Sequence, residues 1–414
     1  MRGQSLLGLI LLSLHLAAQE STAVQQLELD ARQKLAARDA QGALADYQKL
    51  AELAPRSAAY QDEIGFLLAA TNRAAEALPY FRRATELDTK MAQAWFHLGA
   101  ASMISGQAEA GVTALQRAVK LAPDQADYRF RLGTALSDTG QTAKAISELR
   151  VAGKLAPEKA AIWEALGVAL QRENRPAEAR DAYRKALDLD PKNGNIRDNY
   201  AYTLVVTGKP EEGLKEFRRV LESDPNNVHV LVNVGYAYIA AARYQDAIKE
   251  LSEVIRNYPD NPSAHYDLGV AYKQSDDLPH AKEHLERAVQ LDPSLAAAHY
   301  TLGLTYVDAG EPDKAVAQFR NAVEQKPDYA EAWFELGTLL KDQGDADGAI
   351  DALRHSVALN DTDAGAFNTL GLLLKRKGDS AGAKEAFAKA AALRQQEAEK
   401  KAKALQDGAA RISK

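Results

Sequence analysis

Residues 160–193 read AAIWEALGVALQRENRPAEARDAYRKALDLDPKN, and residues 296–329 read AAAHYTLGLTYVDAGEPDKAVAQFRNAVEQKPDY. Both segments are 34 residues long, and they agree where packing would require it. Number each from 1. Position 7–8 is Leu166-Gly167 or Leu302-Gly303, position 20 is Ala179 or Ala315, and position 24 is Tyr183 or Phe319. Positions 4, 7, 8 and 11 fall at spacings of three and four, so they share one helical face. Positions 20, 24 and 27 do the same on a second helix. Small residues at 8 and 20 let two backbones approach, while large ones at 4, 11 and 24 fill the space beside them. Position 15, often glycine, suits the left-handed residue that ends a helix. Proline at 32 stops the second helix.

Working outward, the same period governs most of the 414 residues. Gly65, Gly99, Gly133, Gly235, Gly269, Gly337 and Gly371 fall on the lattice of Gly167 and Gly303. Units begin at Val24, Ala58, Ala92, Ala126, Ala160, Gly194, Val228, Pro262, Ala296, Ala330 and Ala364, giving eleven repeats over 24–397 without insertion. Such a period is the mark of a stacked array, because one hairpin cannot bury its own face. The expectation is an all-α protein, an α-solenoid of helix-turn-helix repeats. Residues 398–414 extend or fray the last helix as a cap. Pro79 falls near the start of a second helix, where the first amides have no internal partner and a missing donor costs little.

The pattern resembles the tetratricopeptide repeat family over about nine-tenths of the chain. That resemblance implies a right-handed superhelix of antiparallel helix pairs with a concave inner groove. It also implies protein or peptide segments as partners.

The ends and the composition bound the setting. Leu6 to Leu16 form an eleven-residue apolar run, followed by Ala17 and Ala18. The run is short for a membrane span and matches the core of a secretory signal peptide. Residues 1–18 are read as that signal, with a second cleavage candidate after Ala23. The expectation is export to a bacterial periplasm or the exterior, with no membrane span after cleavage. The chain has no cysteine, which removes thiolate catalysis, disulfides and cysteine–zinc sites. Its net charge of −6 argues against nucleic acid as a partner.

No enzyme motif stands out, and no cofactor is expected. The glycines are used by helix packing, so no phosphate-cradling loop is left. His280 and His284 are four apart, a metal-compatible spacing, but the intervening residues do not form the metalloprotease pattern. They are read as an exposed polar face, with no metal. His265 and His299 occupy position 4 and are read as core or interhelix contacts. Asn360-Asp361-Thr362 is a glycosylation sequon, relevant only in a eukaryotic secretory pathway.

The groove carries the functional expectation. In the resembled family, positions 2, 5, 6, 9, 12 and 13 of the first helix line the concave side. In units six and seven this assigns Asn195, Asn199, Tyr202, Val205, Val206, His229, Asn233, Tyr236 and Ile239. Unit eight adds Tyr266, Asp267 and Lys273, and unit nine Tyr300 and Leu304. Aromatics with asparagines suit an extended peptide, whose backbone needs partners and whose side chains need pockets. Asn199 and Asn233 resemble two rungs of the family's asparagine ladder. Position 2 holds no lysine in any unit, against the family's carboxylate clamp. The competing explanation is that superhelical closure buries these side chains. The reading is a non-catalytic exported scaffold. The alternatives are a role beside a glycosyltransferase or in polysaccharide export, and glycan or small-ligand binding in the same groove.

Overall fold

A computed structural model describes the backbone of residues 22–412 and the side chains of residues 22–402. The stretch 1–18, read as a signal peptide, lies outside the described residues. Every regular element among those residues is a helix, numbered α1 to α22 in chain order. First helices begin at position 1 of a repeat and second helices at position 17. In the fifth repeat these are α9 (Ala160–Arg172) and α10 (Pro176–Leu189). The last helix, α22 (Ser380–Ile412), runs on past the eleventh repeat.

The chain forms two compact units, one ending at Thr203 and one beginning at Leu204, inside α11 (Gly194–Val206). Within each, a first helix packs on its own second helix, and that second helix packs on the next first helix. This is the solenoid arrangement of helical hairpins that the period implies.

Position 24 forms the centre of each hairpin. Phe81, Leu115, Leu149 and Tyr183 in the first unit are buried. So are Phe217, Leu251, Leu285, Phe319 and Leu353 in the second. Burying one such side chain contributes roughly 1.5–3 kcal/mol. The glycine at position 8 is the other half of the contact. A Cβ on Gly167 would stand 2.6 Å from the Tyr183 ring, and one on Gly303 2.7 Å from the Phe319 ring. Even alanine would force the two helices apart.

Position 15 ends the first helix in the left-handed region in every repeat. Six of the eleven are glycine, such as Gly208 at φ 80°; the others are Arg38, Asn72, Asn174, Ala242 and Asp276, at φ between 54° and 62°. Asparagine and aspartate tolerate this region, whereas Ala242 accepts a strain of about 1 kcal/mol.

A second regularity joins one repeat to the next. Seven position-4 side chains donate a hydrogen bond to the carbonyl six residues earlier, at position 32 of the preceding repeat. In the first unit these are Trp95 to Thr89 (3.1 Å), Arg129 to Pro123 (2.6 Å), Trp163 to Pro157 (2.9 Å) and Arg197 to Pro191. In the second they are His265 to Pro259 (3.0 Å), His299 to Pro293 (3.1 Å) and Trp333 to Pro327 (2.9 Å). Position 4 is therefore a junction latch as well as a packing residue. His265 and His299 are interhelix contacts, as the sequence implied.

Pro79 departs from its expected place. It is the sixth residue of α4 (Ala74–Leu87), beyond the first four amides. The carbonyl of Ala75 thus has no helical amide donor, and the cost is a real one. By contrast, Pro176, Pro210 and Pro312 each begin their helix, where proline fits.

Candidate functional site

The inner-face positions follow from the hairpin contact. Position 8 touches the second helix, and position 6 lies two residues earlier, about 200° away around the helix. Positions 2, 6, 9 and 13 lie about 100° or more from position 8 and turn toward the face formed by the first helices, whereas positions 5 and 12 lie within about 60° of it and border the packing face.

In the first unit, Asn195 and Tyr202 are exposed and Asn199 is half-buried. A cleft of about 290 Å³ lies on this unit's inner face, lined by Phe130, Thr134, Glu164, Val168 and Arg172 among others. Arg172 Nη1 donates to Ser137 Oγ at 2.8 Å and to the Ser137 carbonyl at 3.0 Å. Burial, with Asp190 nearby, pushes the Glu164 carboxyl above its ordinary range. These residues occupy the same inner positions in repeats four and five. They lie outside the repeats six to nine on which the sequence expectation centres, although the 34-residue period places them on the same face.

In the second unit, His229 is exposed, and its Nε2 lies 3.3 Å from Asn233 Nδ2. Asn233, Tyr236, Ile239, Tyr266, Lys273, Tyr300 and Leu304 are half-buried. Tyr266, Tyr300 and Leu304 pack against the core formed by repeats eight to eleven, so they help to stack repeats as well as present a surface. Tyr300 and Tyr329 rings stand 4.9 Å apart. Burial raises the hydroxyl pKa of both Tyr266 and Tyr300, and that of Tyr329 is pushed up to about 12. All three remain neutral hydrogen-bonding groups at physiological pH. Lys273 donates to Asp308 at 2.7 Å.

Two residues expected to present themselves do not. Val205 is buried beside the core position of Leu204, since position 12 borders the packing face. Asp267 is only 8% exposed, and burial raises its carboxyl pKa to about 7.

The histidines of repeat eight lie outside this face. His265 Nδ1 is 3.1 Å from His284 Nδ1, and burial lowers the pKa of both rings. His265 Nε2 donates to Pro259, so its Nδ1 must accept, and His284 Nδ1 carries the shared proton. His280 is held by Asp277 at 2.7 Å. Among the described residues, no group of three or more His, Asp or Glu could hold a metal ion. No described helix is long and apolar enough to cross a membrane.

Tetratricopeptide-repeat models match residues 63–126, 103–154 and 300–364, then 238–303, and 364–397. A fourth model, the tetratricopeptide-repeat domain of cytochrome c-type biogenesis protein H, matches residues 148–265. Comparison with curated proteins finds no significant match. Among solved structures, yeast Tom70 is 13% identical over 91% of this chain and 97% of its own, with a TM-score of 0.50. A human IFIT1 dimer with PPP-AAAA is 18% identical over 82% of this chain and 91% of its own, with a TM-score of 0.45. MamA is 28% identical over 38% of this chain and 92% of its own, with a TM-score of 0.35. The likeness to Tom70 is one of fold.

Proposed function

We propose that this chain, which belongs to the tetratricopeptide-repeat family, is a non-catalytic scaffold that holds extended segments of partner proteins on its first-helix faces. One observation carries the reading. Asn199 and Asn233 at position 6, with Tyr202 and Tyr236 at position 9, occupy positions that the hairpin contact does not require, and they recur in two consecutive repeats. An extended segment needs such a series of hydrogen-bonding and aromatic contacts, and repeated contacts add avidity without rearrangement of the scaffold. Export to a bacterial envelope is part of the proposal, supported by the apolar run from Leu6 to Leu16.

A second reading is favoured by the match over residues 148–265: a part in cytochrome c biogenesis, with a protein of that process as the held partner. The two readings differ in partner, not in mechanism. Affinity capture from an envelope fraction, repeated with Tyr202→Ala and Tyr236→Ala, tests both. The expected result is partner loss of tenfold or more in at least one variant. Partners retained at wild-type affinity by both would remove the inner face as the site. Proteins of cytochrome c biogenesis among the captured partners would select the second reading.

A further inference from the structure

Asp267 occupies position 6 of the eighth repeat, on α15 (Pro262–Gln274), and faces away from α16 (Leu278–Leu291). It is buried, yet it has no hydrogen bond or ion pair among the described residues. Such a carboxylate is costly, because a buried charge must be paired or neutralised.

The repeat itself explains the missing partner. Position 6 of one repeat meets position 5 of the repeat before it. In the first unit this contact is Asp62 Oδ1 to His97 Nδ1 at 2.9 Å. In the second unit Tyr300 feels the charge of Glu335, and Tyr266 meets Thr301, by the same register. Opposite Asp267 the register puts Val232, a buried side chain with nothing to donate. The cations of the neighbouring inner face are taken: Lys273 by Asp308, and Lys341 by Asp342 at 3.1 Å. Asparagine stands at position 6 in the two preceding repeats, as Asn199 and Asn233, and would sit here without a charge to bury. The carboxyl oxygens are not among the fully enclosed polar atoms, so the group opens toward the inner face, where a cation from outside the chain can pair with its ionised form.

The surroundings describe the ligand. Position 5 reads Val232, Tyr266, Tyr300 and Phe334 through repeats seven to ten, an apolar and aromatic stripe beside the carboxylate. Long Lys and Arg side chains bury their stems on such surfaces while the head group seeks an acid. We propose that Asp267 anchors an Arg or Lys side chain of an extended partner segment whose neighbouring apolar residues lie on this stripe. The inference rests on the scaffold reading and names the chemistry of its partner.

The test pans a phage-displayed library of random twelve-residue peptides against the full chain. Enriched peptides are then synthesised for affinity measurement. Three variants are compared with the wild type: Asp267→Asn, Tyr236→Ala, and Glu283→Gln on the exposed outer helix as a control. Enriched peptides are expected to carry Arg or Lys among apolar residues and to bind Asp267→Asn at least tenfold more weakly. They should bind Glu283→Gln as they bind the wild type. Asp267→Asn is expected to melt no lower than the wild type, so that lost affinity is not lost folding. Peptides without a cation, or equal affinity for Asp267→Asn, overturn the proposal; if Tyr236→Ala still weakens them, the scaffold reading survives. No enrichment of any peptide overturns both.

Discussion

Asp62 and Asp267 both stand at repeat junctions, and their neighbours differ. Asp62 meets His97, whereas Asp267 meets the valine register and is held protonated toward neutral pH. The sign of the stability effect follows. An unfolded aspartate releases its proton near 3.8 and the folded one near 7, so the folded state binds more protons between those values. Stability from this group is complete below pH 3.8, falls as pH rises through 7, and then levels. The full difference corresponds to about 4 kcal/mol. Asp267→Asn does not titrate, so urea midpoints of the variant are expected to decline less between pH 5 and pH 8 than those of the wild type. Comparing slopes cancels every other titrating group and the polar burial of the amide. Parallel slopes would mean that the buried carboxyl already has a counter-charge.

At the scale of the element, the position-4 latch decides how firmly one hairpin follows the next. α19 (Ala330–Asp342) starts just after the proline turn, and Trp333 reaches back across that turn to the Pro327 carbonyl. The indole also stacks on His355 of α20 (Ala346–Leu359), with centroids 4.5 Å apart. Trp333→Phe keeps much of the apolar volume and removes the N–H. Losing one such bond costs about 1 kcal/mol, and more where the carbonyl stays dry. The expected result is a destabilisation of 1–2 kcal/mol in denaturant unfolding, with helix content unchanged. A wild-type midpoint for Trp333→Phe would show that packing alone holds the junction. The sequence displayed this latch only in part. Trp, Arg and His recur at position 4, and what they share is an N–H donor, but the acceptor is a backbone carbonyl and leaves no mark in the residue pattern. Pro79 was misplaced for a related reason, since helix starts depend on backbone bonds that side-chain identity shows only loosely.

Over the whole chain, what was legible is what adjacent side chains enforce by size. Gly167 against Tyr183 and Gly303 against Phe319 are contacts between residues sixteen apart, so the period states them outright. The inner face was less legible, because exposure there depends on neighbouring repeats: Val205 and Asp267 lie on inner positions yet are buried. The same locality predicts how damage spreads. Helix contacts link an element to its neighbours one or two places along the chain, so each repeat draws stability from the adjacent ones. Gly303→Ala would drive a methyl group into the Phe319 ring between α17 (Ala296–Asp308) and α18 (Pro312–Gln325). Overpacking of this kind costs about 1–3 kcal/mol. Amide hydrogen exchange is expected to quicken in α17 and α18, less in α16 and α19, and not at all in α3 (Ala58–Ala70) and α4. Local opening is what exchange resolves when stability is not uniform. Equal loss of protection in α3 and in α17 would instead require one cooperative fold spanning the full chain, and the nearest-neighbour account would then fail.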